Sequence, residues 1–260
     1  MNNKFNLLLV LPFLFMACTE ENSSNKSSTK ESIPDTELAS MVQDSTRQQP
    51  IVQVSDNVRF VFSGGFVPSD FEMSDWIGIY VDENGMYCKP TQAKIKAVRD
   101  MWNDDEDNLD ATIIDDVSEI PSVFLFSGIT VPENFRVKSF NNIPNRILIG
   151  NSTKLGDYTL KADGEVTQEN QLPLTYRLTI MGSKNEKKIE QVIVDHEFLD
   201  DAMTAILWVG DLDADGIPDM IIDMSPKYSY STPALFLSSQ ADDGDILKLV
   251  GECGSDFGGC

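Results

Sequence analysis

Aspartates fall at positions 1, 3, 5 and 9 of the loop Asp211-Leu-Asp213-Ala-Asp215-Gly216-Ile217-Pro218-Asp219, with glycine at position 6. Hard cations such as Ca²⁺ take about six to eight oxygen ligands at roughly 2.3–2.6 Å, and acids on alternate residues of a short loop curl around a common point. Gly216 permits the sharp turn, and the Ile217 carbonyl at position 7 would add a neutral oxygen. Without a cation, each pair of carboxylates about 4 Å apart costs about 1 kcal/mol in bulk water and about 4 kcal/mol at an effective dielectric of about 20. A loop that gathers these acids therefore either binds a cation or splays open. The expected ligands are Asp211, Asp213, Asp215, the Ile217 carbonyl and Asp219, with Asp223 as an outlying structural acid.

Other chemistry is sparsely represented. His196, in Val-Asp195-His196-Glu197, is the single histidine, and no Gly-x-Ser-x-Gly elbow accompanies it; Ser63 before Gly64-Gly65 is the best serine candidate. A polar histidine at a strand end is expected to be structural. Neither a phosphate-cradling glycine loop nor a dinucleotide fingerprint is present. Trp76, Tyr80, Tyr87, Trp102, Tyr228 and Tyr230 are available for sugar contacts. Trp76 and Tyr80 alternate within a strand and are expected in the sheet, whereas Tyr228-Ser-Tyr230 is the better candidate surface. A second acidic stretch, from Asp104 to Asp116, is expected to be a solvated loop.

The elements that must hold the aspartate loop are strands. Short apolar or alternating runs recur, as in Val58–Phe62, Trp76–Val81, Thr91–Val98, Leu174–Met181, Ile189–Val194, Thr204–Val209, Met220–Ile222 and Leu235–Leu237. Asn84-Gly85 and Asp163-Gly164 are hairpin signals. No long 3.6-residue apolar stripe exists, so helix is minor, with Phe198–Met203 the one candidate. The expectation is a mostly β, antiparallel, sandwich-like single domain over residues 51–260.

The chain has 260 residues, 41% of them hydrophobic, and a formal net charge of −22. It can bury a core, and its charge argues against nucleic acid, which needs a basic stripe. Ahead of the domain, Lys4 precedes the apolar run Leu7–Ala17. That run is too short for a membrane span of about 20 residues and has the plan of an export signal. Residues 18–50 then read as a polar, flexible tether. Cys88, Cys253 and Cys260 remain for disulfides. Cys253–Cys260 would close a small loop, and Cys88–Cys260 a far longer one that stabilises more.

Two resemblances extend this. Ala17-Cys18 after the apolar run resembles the lipobox of bacterial lipoproteins, although Phe15 and Met16 depart from its usual residues. The resemblance implies a covalent lipid (diacylation, palmitate among the chains) on Cys18 and a signal peptide over residues 1–17. It also implies an outer-membrane lipoprotein held to the membrane by its anchor. Thr19-Glu20-Glu21 resembles the acidic export signal of surface lipoproteins, which favours the cell surface over the periplasmic face. The loop itself departs from an EF-hand, since position 12 is Ile222 and Pro218 blocks an exiting helix. It resembles instead the strand–loop–strand calcium loops of FG-GAP and VCBS repeats, Asp-x-Asp-x-Asp-Gly-x-x-Asp. The last sixty or so residues resemble uncharacterised exported bacterial proteins. Together these imply a non-catalytic binding or envelope component with a protein or glycan ligand; the alternative is an extracytoplasmic, glycan-acting hydrolase with carboxylates not yet located.

Overall fold

In the computed structural model, residues 52–63, 75–98, 111–116, 119–132, 134–140, 142–167, 173–200, 202–227, 230–253 and 255–256 are described. In chain order the strands are β1 (Gln53–Phe62), β2 (Trp76–Asp82), β3 (Gly85–Thr91), β4 (Ala93–Val98), β5 (Ala111–Asp116), β6 (Phe124–Thr130), β7 (Lys138–Ser139), β8 (Ser152–Leu155) and β9 (Tyr158–Asp163). There follow β10 (Tyr176–Lys184), β11 (Lys187–His196), β12 (Ala205–Asp211), β13 (Asp219–Asp223), β14 (Tyr230–Ser231), β15 (Pro233–Leu237), β16 (Lys248–Glu252) and β17 (Ser255–Asp256). Every ladder between them is antiparallel. No helix occurs among the described residues, and the Phe198–Met203 expectation fails there: its described residues are irregular, tied by a parallel bridge from Asp200 to Lys227.

Three sheets carry the architecture, in the orders β1-β6-β2-β3, β11-β10-β9-β8 and β16-β15-β13-β12-β7. The last is central. Met220 and Ile222 of β13, with Ala234 and Phe236 of β15, pack with Leu160, Leu178 and Ile180 of the β8–β11 sheet. Their neighbours Ile221, Leu235 and Leu237, with Trp208 of β12, pack with Phe60, Ile79, Phe124 and Phe126 of the β1–β6–β2–β3 sheet. Successive residues of a strand point to opposite faces, so a strand covered on both sides must be apolar without interruption. Met-Ile-Ile and Ala-Leu-Phe-Leu are such runs, and all of these residues are buried. The sandwich therefore has three layers, with a core on each face of the central sheet.

The turns obey local chemistry more closely than sequence spacing suggests. At the Asn84-Gly85 signal the two-residue loop is Glu83-Asn84, and Gly85 follows it at φ 105°, with Asn84 N–H donating to Asp82 Oδ1 at 2.8 Å. Asp163-Gly164 is not a tight hairpin: Asp163 pairs with Arg177 across a long connection. One tight turn in that sheet is Asn185-Glu186, where both residues take positive φ, 52° and 64°, the geometry whose twist matches flanking strands. Residues 146–149, despite Ile147, Leu148 and Ile149, form no strand. No helix among the described residues is long and apolar enough to cross a membrane.

Candidate metal centre

The aspartate loop leaves the central sheet at the end of β12 and re-enters it at the start of β13, where Gly210 pairs with Asp219. Both strands are interior members of that sheet, which fixes the loop's two ends. Between them the chain winds through two left-handed residues, Ala214 (φ 65°) and Gly216 (φ 87°). Glycine takes this conformation freely, whereas for alanine it costs about 1–2 kcal/mol. Short-range hydrogen bonds hold the winding: Gly216 N–H donates to Asp211 Oδ2 at 3.0 Å, and Ile217 N–H donates to Asp215 Oδ1 at 2.8 Å.

The result is a gathering of three carboxylates. One oxygen from each of Asp211, Asp213 and Asp215 lies within 4.8 Å of the others. Asp211 and Asp213 are 5% and 8% exposed, while Asp215 forms the exposed rim. Asp211 Oδ1 is buried and accepts no hydrogen bond. An orphaned carboxylate oxygen in the interior costs several kcal/mol unless a donor or a cation meets it. Burial, and then the charge of Asp213, push the Asp211 carboxyl above the ordinary carboxylate range. The same two causes push Asp215 up to about 6. The three aspartates could hold a metal ion, and their oxygens are the donors a hard cation prefers.

Asp219, the fourth expected aspartate, stands outside this group of three. It is wholly buried, and burial holds its carboxyl well above the usual range. Its Oδ2 accepts the Leu212 N–H at 2.6 Å, while Oδ1 accepts the Ser238 N–H at 2.8 Å and the Ser238 hydroxyl at 3.0 Å. The same hydroxyl lies 2.9 Å from Asp215 Oδ2, and Ser239 N–H donates to Asp213 Oδ2 at 3.1 Å. Ser238 and Ser239, just past β15, thus orient three of the four loop aspartates. Nothing in the spacing of the loop pointed to them, because they lie about twenty residues downstream and act largely through backbone N–H groups. Ile217, whose carbonyl was the remaining expected ligand, is partly buried within the loop.

The other expected residues divide. Cys18, Cys260, Trp102, Tyr228 and most of the Asp104–Asp116 stretch lie outside the described residues. No disulfide occurs among the described residues, and Cys88 is a buried thiol whose burial pushes it up to about 12. Both expected bridges involve Cys260, which lies outside the described residues; Cys88 itself sits at 0% exposure in the core between β1–β6–β2–β3 and the central sheet. Cys88 and Cys253 are not joined to each other. His196 ends β11 with Nε2 buried and unpartnered, and burial lowers its pKa. The Ser225 hydroxyl donates to the Asp223 carboxylate. Trp76 and Tyr80 are sheet residues, 2% and 1% exposed, as expected. Compared with known protein families, curated proteins and solved structures, the chain matches none.

Proposed function

We propose that this chain is an exported, membrane-anchored lipoprotein whose β domain holds a structural Ca²⁺ ion, and that it serves as a non-catalytic binding or envelope component. The observation that carries the cation reading is the buried, unpartnered Asp211 Oδ1 among the oxygens of Asp213 and Asp215. Three carboxylates and the Ile217 carbonyl supply part of the shell of about six to eight oxygens, with water completing it on the Asp215 side. Calcium suits this set better than a transition metal, since neither the His196 imidazole nor a thiolate belongs to it. The anchor rests on the sequence alone: the apolar run ending at Ala17, the cysteine directly after it, and the polar tether to about residue 50. Two or more acyl chains, each contributing about 0.8 kcal/mol per buried CH₂, make such an anchor stable.

Titration calorimetry of the purified domain with Ca²⁺ tests the first part: one binding event is expected, abolished in Asp213→Ala. An absence of binding heat at millimolar Ca²⁺ would overturn it. For the anchor, Cys18→Ser is expected to move the protein from the membrane fraction to the soluble one. Retention of that variant in the membrane would refute lipidation.

A further inference from the structure

The connection between β15 and β16 touches two separate parts of the molecule. At its start, Ser238 and Ser239 bond the carboxylates of Asp213, Asp215 and Asp219. At the same place the Lys184 ammonium, from the end of β10, donates to the Ser238 carbonyl at 2.8 Å. At its far end, Gln191 of β11 clasps the backbone. Its Oε1 accepts the N–H groups of Ile246 and Leu247 at 2.8 and 2.9 Å, and its Nε2 donates to the Leu247 carbonyl at 2.6 Å. Ile246 and Leu247 are 0% and 1% exposed, packed in the core shared with the β8–β11 sheet. Turn hydrogen bonds, Ala241 N–H to the Ser238 carbonyl and Asp245 N–H to the Asp242 carbonyl, shorten the path between the ends.

We propose that residues 238–247 form a strap that transmits cation occupancy from the aspartate loop to the β10–β11 hairpin. The inference rests on the cation reading above and adds a regulated element to it. When a cation draws the three carboxylates together, Ser238 and Ser239 are held by acceptors of fixed position. The Ser238 carbonyl is then fixed for Lys184, and the strap is fixed for Gln191. When the cation leaves, repulsion among the carboxylates loosens their grip on the two serines, and the hairpin loses part of its seat on the central sheet. Two sites that share an element with two arrangements are coupled reciprocally, so the hairpin's contacts must in turn favour cation binding. The β2–β3 hairpin provides the internal reference, because it lies in the opposite outer sheet.

Amide hydrogen exchange on the full chain, in Ca²⁺ and in chelator, tests this beside calorimetry. Ca²⁺ is expected to slow exchange across residues 187–196 and 244–247 by about fivefold or more beyond any change in residues 76–91. In Gln191→Leu, Ca²⁺ still binds but the extra protection of 187–196 is lost. Lys184→Met, at the end of β10, is expected to reduce that protection and to weaken Ca²⁺ binding several-fold. Binding heat accompanied by slowed exchange only in 211–219 and 238–239 would overturn the strap and leave the cation site standing. Equal protection of 76–91 and 187–196 would likewise overturn it, since it signifies global stabilisation. An absence of binding heat would overturn the cation reading and the strap together.

Discussion

Two aspartate turns flank β13, and they treat the same side chain in opposite ways. At the outgoing end, Asp223 Oδ1 accepts the Ser225 N–H at 3.1 Å, the Ser225 hydroxyl, and the Thr232 N–H at 3.3 Å. That oxygen is met by three donors, two of them from the residue two places on, as a capping acid's should be. At the incoming end, Asp211, Asp213 and Asp215 crowd together, and one buried oxygen has no donor at all. Aspartate content alone does not separate these ends. What separates them is the balance of donors to acceptors: a satisfied acid closes a turn, whereas converging acids with an unmet oxygen leave room for a positive charge.

The sharpest break in this comparison comes from Asp219, which is buried like a ligand but bonded like a cap. Asp219→Ala removes the acceptor for the Leu212 and Ser238 N–H groups, leaving both buried donors unmatched. A loss of about 3 kcal/mol or more is expected by urea unfolding, in chelator as well as in Ca²⁺. A loss seen only in Ca²⁺ would make Asp219 a ligand first.

The two ends should next differ in sign under the same substitution. In chelator, Asp211→Asn removes one of three like charges and places an amide donor among acceptors, so stability is expected to rise by about 1 kcal/mol. Asp223→Asn converts charge-assisted bonds into neutral ones and is expected to lose about 1 kcal/mol. Urea midpoints of the two variants measure this directly. Equal signs would dissolve the distinction.

The smallest effect concerns acid. Burial depresses the folded pKa of His196 below its ordinary 6.5, against the opposing charges of Asp195 and Asp223. A group with a depressed folded pKa contributes stability that is present above its unfolded value and lost as pH falls through the folded one. Below about pH 6.5 the domain is therefore expected to weaken slightly, and His196→Gln should flatten that slope in a series of melting curves. The slope in chelator should equal that in Ca²⁺ once the contribution of the aspartate loop is subtracted.

Much of this was legible in the residues, and the remainder was hidden for definite reasons. The runs Met220–Ile222 and Leu235–Leu237 announce strands, yet uninterrupted apolarity cannot say how many sheets cover them, so the third layer emerged only from packing. Alternate-residue spacing identified Asp211, Asp213 and Asp215, because a loop's own winding brings such neighbours together. Position 9 carries a further role that spacing does not show: Asp219 sits in the β13 ladder opposite Gly210, and its carboxylate accepts the Ser238 N–H. Ser238 itself carries no signal, since its role depends on where β15 ends beside the loop. Asn185-Glu186 makes a positive-φ turn with no glycine to signal it, whereas Asp163-Gly164 has the signature without the tight hairpin.

The central claim is that the converging aspartates are completed by a cation, and thermal unfolding of the domain in Ca²⁺ against chelator tests it most directly. At a free Ca²⁺ concentration about one hundred times the dissociation constant, a stabilisation of about 2.7 kcal/mol is expected. The shift should vanish in Asp211→Asn and persist in Asp223→Asn. Superimposable melting curves for the unsubstituted protein in millimolar Ca²⁺ and in chelator would contradict the account.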